Sequence, residues 1–124
     1  LIWRKPEFAT RSTPVVMNGK LYSICRAFPE STREGEKIIC LDAATGQQLW
    51  QERLGGSSLA SPLWADGRIY FFRQDAKTVV VKAGRQFERL ADNALEGTLI
   101  ATPAMDERSL YLRTDTHLYC IREP

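Results

Sequence analysis

A ten-residue pattern that recurs twice constrains this chain more than any other feature. Thr13-Pro14-Val15-Val16-Met17-Asn18-Gly19-Lys20-Leu21-Tyr22 aligns with Ser61-Pro62-Leu63-Trp64-Ala65-Asp66-Gly67-Arg68-Ile69-Tyr70. Both align with Thr102-Pro103-Ala104-Met105-Asp106-Glu107-Arg108-Ser109-Leu110-Tyr111. Each copy has a Ser/Thr-Pro and a Tyr eight residues after the Pro, and the prolines are 48 and 41 residues apart. That spacing suits a four-stranded unit repeated along the chain. Pro fits the first residue of a strand, where no ladder N–H is needed. Asn18-Gly19 and Asp66-Gly67 predict two-residue hairpin turns, which need positive φ at both central residues. Glu107-Arg108 in the third copy predicts a longer turn or one of another type.

Apolar runs follow each turn at Lys20 to Cys25, Arg68 to Phe72 and Ser109 to Arg113, and they read as strands. A further strand follows each, at Lys37 to Leu41, Thr78 to Val81 and Leu118 to Ile121. The fourth strand carries the most specific motif, Leu41-Asp42-Ala43-Ala44-Thr45-Gly46-Gln47-Gln48-Leu49-Trp50. Thr45-Gly46 reads as a turn with positive φ at the Gly, and Asp42 as its cap. Trp3 matches Trp50, so the chain opens on the last strand of an earlier unit. In the second copy the matching stretch is Lys82-Ala83-Gly84-Arg85-Gln86-Phe87, read as shorter and with Phe87 in the place of the Trp. Ala91 to Glu96 reads as a single helical turn.

The Asp42 to Trp50 segment resembles the tryptophan-docking motif of quinoprotein-like (PQQ-like) β-propellers. That family includes PQQ-dependent alcohol dehydrogenases and the outer-membrane-protein assembly lipoproteins with the same repeat. The resemblance covers nearly the whole chain: strong in one copy, degenerate in the second, truncated in the third. It implies an all-β β-propeller fragment of about three blades, each a four-stranded antiparallel meander. The expected divisions are residues 1–11 as the last strand of a preceding blade, 12–56 and 57–97 as blades, and 98–124 as a partial blade. WD40 fits less well, because no Trp-Asp closes the third strand. Kelch fits less well, because no Gly-Gly doublet precedes an aromatic. In the family the Trp is structural, wedged between blades. An indole burying about 150–250 Å² contributes at most roughly 4–6 kcal/mol, which suits that role.

Composition narrows the functions. The 124 residues are 44% hydrophobic and 26% charged, with a net charge of +2. These are soluble-globular values. A charge of that size makes no case for nucleic acid or an anionic membrane surface. No apolar run approaches the roughly 18 residues of a membrane span, so no membrane insertion is expected. Leu1-Ile2-Trp3 is followed by charge and proline, unlike a signal peptide, and the start reads as that of a processed or excised chain. A periplasmic or exported location is implied by the resemblance alone.

His117 is the only histidine, and it reads as an exposed turn residue rather than a ligand or triad member. Gly55-Gly56-Ser57-Ser58 lacks the following helix and Lys of a phosphate cradle and reads as an inter-blade loop. Tyr22, Tyr70 and Tyr111 recur once per copy and read as core. Glu30, Arg33, Glu34 and Glu36 lie in the one long insertion, either a solvated face or a partner-binding loop. Cys25 and Cys40 flank that insertion, as two buried thiols or a cross-hairpin disulfide.

Two functions compete. One is a non-catalytic binding or scaffold propeller segment whose partner is a protein or the remaining blades of a larger ring. It needs no cofactor. The other is the C-terminal part of a PQQ-dependent dehydrogenase. The resemblance would then imply PQQ, a calcium-like ion, a catalytic Asp, an adjacent cysteine pair and a stacked Trp. No two cysteines here are adjacent. Twelve strands are expected, offset by one. A homodimer closing head to tail as six blades is one completion; the other is a longer chain that supplies the missing blades.

Overall fold

The computed structural model describes residues 2–4, 13–26, 36–58, 60–99, 101–107 and 109–122. The described residues hold eleven strands and no helix. These are β1 (Val15–Met17), β2 (Lys20–Arg26), β3 (Glu36–Asp42), β4 (Gln48–Arg53), β5 (Leu63–Ala65), β6 (Arg68–Phe72), β7 (Lys77–Lys82), β8 (Arg89–Ala94), β9 (Ala104–Met105), β10 (Ser109–Arg113) and β11 (Leu118–Arg122). They form three antiparallel meanders in chain order, β1-β2-β3-β4, β5-β6-β7-β8 and β9-β10-β11. Ile2 to Arg4, expected as a twelfth strand, joins none of them.

The turns follow from local chemistry. Asn18 and Gly19 have φ of 52° and 73°, and Asp66 and Gly67 have φ of 52° and 75°. These left-handed pairs give the twist that a two-residue hairpin needs. In the third sheet Asp106 takes a different course. Its amide donates to the Ser109 carbonyl at 3.0 Å, and its carboxylate accepts from the Ser109 amide at 2.7 Å.

Register shows that the sheets are copies. Tyr22 faces Cys40, which faces Trp50; Tyr70 faces Val80, which faces Ala91; Tyr111 faces Cys120. The ladder shifts by a bulge at the same place in the first two sheets, between Cys40 and Leu41 and between Val80 and Val81. Two sequence expectations are corrected. The partner of Trp50 in the second sheet is Ala91, not Phe87. The connection before it is one residue longer, not shorter: the Asp42 amide closes onto Gln47, the Lys82 amide onto Glu88. The helical turn expected over 91–96 is the outer strand β8, because its residues continue the ladder along Lys77 to Val81.

Strand alternation gives each sheet two apolar faces. Tyr22, Ile24, Ile38, Cys40 and Trp50 on the first sheet pack against Ile69, Phe71, Val79 and Val81 on the second. The opposite face of the second sheet, with Tyr70 and Phe72, meets Leu110, Leu112 and Tyr119 of the third. Cys25, Ile39 and Leu41, on the other face of the first sheet, lie against Trp3. The core is therefore a series of joints, and each fully buried large apolar side chain in it contributes about 1.5–3 kcal/mol.

This alternation separates the two cysteines expected to flank the insertion. Cys25 is opposite Lys37 and Cys40 is opposite Tyr22, on different faces of the sheet. No disulfide joins them; both are free and buried, and Cys120 is free and exposed. Protein denatured without reductant should therefore titrate three thiols. A single reactive thiol would contradict this arrangement.

Candidate functional site

The joints contain most of the residues that the sequence singles out. Asp42 ends β3, and its carboxylate accepts from the Ala44 and Thr45 amides at 2.9 and 3.2 Å. Its own carbonyl accepts from the Gly46 amide at 2.8 Å, and the Thr45 hydroxyl accepts from the Gln47 amide at 3.2 Å. The resulting turn holds Gly46 at φ +76°. A Cβ there would stand 2.7 Å from Cδ2 of Trp3. Gly46 is thus required both for its backbone conformation and for the indole lying on it. The Trp3 Nε1–H donates to the Ala43 carbonyl at 2.9 Å.

The next joint repeats the arrangement. Trp50 Nε1–H donates to the Gly84 carbonyl at 3.0 Å, and the Gly84 amide donates to the Tyr22 hydroxyl at 3.0 Å. One peptide segment of the second sheet is held by two aromatic side chains of the first. Phe87 meets the Trp50 ring edge-on, with centroids 5.2 Å apart. Phe87 is a partner of the docking Trp rather than its substitute. In the second sheet Ala91 sends no indole across, and a groove of about 940 Å³ opens beside it. Leu90, Leu95, Leu110 and Ile121 are among its apolar walls.

A second set of contacts holds both joints and was not recognised in the sequence. The Thr13 amide donates to the Ser61 hydroxyl at 2.8 Å, and the Ser61 amide to the Thr102 hydroxyl at 2.8 Å. The Ser/Thr before each Pro therefore links one sheet to the next. On the loops, the Gln74 amide donates to the Ser57 carbonyl at 2.7 Å, and the Asp115 amide to the Thr98 carbonyl at 3.1 Å. A Cβ on Gly97 would lie 2.8 Å from Cβ of Thr114, and one on Gly56 would lie 2.9 Å from Nε of Arg73. The signal was present in the sequence. Leu54-Gly55-Gly56-Ser57 through Pro62 repeats as Leu95-Glu96-Gly97-Thr98 through Pro103.

A family model described as outer membrane protein assembly factor BamB matches residues 1–92. The chain belongs to this PQQ-like propeller family. BamB from Moraxella catarrhalis superposes with a TM-score of 0.59 at 14% identity, over 88% of this chain and 41% of that one. A europium-containing methanol dehydrogenase superposes with a TM-score of 0.61 at 15% identity, over 82% of this chain and 23% of that one. The chain thus spans less than half the length of either, and at these identities the likeness establishes the fold. No curated protein matches. The three sheets are propeller blades.

The remaining candidates scatter over this PQQ-like arc. Glu36 opens β3, and its carboxylate accepts from the Ser58 amide at 2.9 Å, tying the loop after β4 to β3. Glu30, Arg33 and Glu34 lie outside the described residues. His117 is exposed, with Nδ1 2.8 Å from the Thr116 hydroxyl. Among the described residues no cluster of three His, Cys, Asp or Glu side chains is placed to hold a metal. Burial sets the chemistry of the joint. It pushes the Tyr22 phenol up to about 12, with Cys40 beside it adding to the rise. It pushes the Cys25 and Cys40 thiols up to about 11 each.

Two outcomes follow from these joints. Trp50→Ala should destabilise the protein by about 3–5 kcal/mol in chemical denaturation. Trp50→Phe keeps a ring against Phe87 but loses the bond to Gly84, and should cost roughly 1–2 kcal/mol. Equal midpoints for wild type and Trp50→Ala would contradict the docking. Alkaline titration is the second test. Three acids are held neutral in the fold above their ordinary values, so the native state binds more protons than the unfolded chain. Their contribution should be intact below about pH 9 and lost progressively between about pH 9 and pH 12. Denaturant midpoints measured from pH 8 to pH 11 should fall, and Cys25→Ala/Cys40→Ala should flatten the fall.

Proposed function

We propose that this arc is part of a protein-binding propeller and that its own residues supply architecture rather than redox chemistry. The match of residues 1–92 to a family described as an assembly factor carries this reading. By the same likeness, an exported or periplasmic setting belongs to the proposal. The repeat supplies a contact surface as well. Val16, Trp64 and Met105 occupy one register position on the first strand of each blade, opposite Leu21, Ile69 and Leu110. Val16 and Trp64 are exposed large apolar side chains, at 57% and 37%. Exposed apolar residues that recur in register mark a binding face, and Trp is enriched at the centres of such faces.

The dehydrogenase reading fits these residues poorly. The resemblance would require an adjacent cysteine pair and an indole face for PQQ. Cys25 and Cys40 point to opposite sides of one blade, and Cys120 belongs to another. Trp3 and Trp50 have their Nε1–H groups committed to backbone carbonyls in the joints. No step is derived through that group.

Equilibrium dialysis against PQQ with Ca²⁺ should leave no chromophore on the protein, and retention of one equivalent would overturn the reading. A photocrosslinker installed at Trp64 of the full-length protein in its own cells should give protein adducts. One at exposed Lys77 should give none. Absence of adducts at Trp64 would remove this surface from the proposal.

A further inference from the structure

We propose that β11 is a docking edge for the Ile2–Arg4 segment of a second copy of this chain, so that two chains close head to tail. The proposal rests on the blade assignment. It begins with a mismatch inside the chain. The first two blades have four strands, while among the described residues the third has three, with β11 bonded on one side only. At the other end, Trp3 is docked on Ala43 and Gly46 as Trp50 is docked on Gly84. Trp50 does this from a fourth strand, β4. Ile2 to Arg4 therefore occupies a fourth-strand position without its three sheet partners, and Ile2 is 89% exposed.

The outer face of the third blade is built as a joint face. Tyr111, Arg113, Leu118 and Cys120 stand at the rungs held in the first blade by Tyr22, Ile24, Ile38 and Cys40. Ile38 and Cys40 are fully buried by the neighbouring blade, whereas Leu118 is 74% exposed and Cys120 is exposed. Three of the four residues keep the apolar character of a buried rung. A bare strand edge with an apolar face favours pairing with another chain.

The repeat register specifies the contact. Trp50 faces Cys40 across β3 and β4. An incoming Ile2–Arg4 segment that pairs with β11 in the same register sets the partner's Trp3 opposite Cys120. That Trp3 keeps its docking on Ala43 and Gly46 of its own copy, which brings the partner's first blade against this copy's third. Each copy offers one such segment and one such edge, so a two-fold arrangement uses both.

Size exclusion with light scattering on the 124-residue chain at micromolar concentration should give twice the 14.1 kDa of one copy. Leu118→Arg places a charge on a side chain that is mostly exposed in a single copy. It should leave the circular dichroism unchanged and return the mass to one copy. Cys120 should react slowly with a thiol reagent in the wild type and rapidly in Leu118→Arg. A single-copy mass with Cys120 equally reactive at every concentration would overturn the proposal. So would a double mass that Leu118→Arg leaves intact. Either failure leaves the PQQ dialysis and Trp64 crosslinking tests of the protein-binding reading unaffected.

Discussion

The joint between neighbouring blades depends on an indole N–H that finds a backbone carbonyl in the blade beyond its own. A buried Trp carries a large apolar surface and one donor that must be satisfied. A carbonyl exposed at a turn satisfies it only if the turn is held open and no side chain intervenes. The motif arranges this. Asp42 caps the turn, Gly46 gives it left-handed backbone, and the missing Cβ leaves the surface on which Trp3 lies. Substituting any one of them disturbs contacts between blades as well as within one.

The joints do not all depend on the indole to the same extent. Between the first and second blades, Trp50 and Tyr22 together hold the Gly84 segment. Between the second and third, Ala91 occupies the rung of Trp50, and the joint relies on Phe72, Leu99 and Leu112 with the hydroxyl of Thr102. The Ser/Thr-to-amide bond and the loop carbonyls are common to both joints, so they form the constant part of the repeat. The Trp is the variable, stronger part. Its loss opens a groove but does not separate the blades, because the apolar faces still meet. Each joint can drift in sequence while the others hold register, which is consistent with a common fold at 14% and 15% identity.

Much of this architecture was legible because the repeat ties chemistry to position. Pro opens each first strand, Asn-Gly and Asp-Gly fix two hairpins, and the runs after them are strands. The errors share a cause. Phe87 was aligned with Trp50 because both are aromatic residues near the same turn. A bulge and one extra residue in the connection move the true rung to Ala91. Linear spacing does not show a bulge. Ala91 to Glu96 looked helical because its local residues are small and polar, yet ladder pairing with β7 overrides that preference. The Ser/Thr before each Pro was visible in all three copies. It was read through the Pro alone, since the hydroxyl acts only on a residue 48 or 41 positions away.

The same logic separates what the blade core fixes from what it leaves open for function. Side chains that face a neighbouring blade are committed: Tyr22, Cys40 and Trp50 are buried, and burial holds the first two protonated well into alkaline conditions. They are unsuited to nucleophilic or acid–base work near neutral pH, where a thiol must be a thiolate to react. Residues free to meet a ligand lie on the first strands and on the loops, where the repeat sets backbone position but leaves side chains unconstrained. Val16, Trp64 and Met105 illustrate this, with one register position and three different apolar groups. A family built this way can change its partners by substitution along that row without disturbing a joint. Function in this arc is therefore written in the positions at which its copies differ.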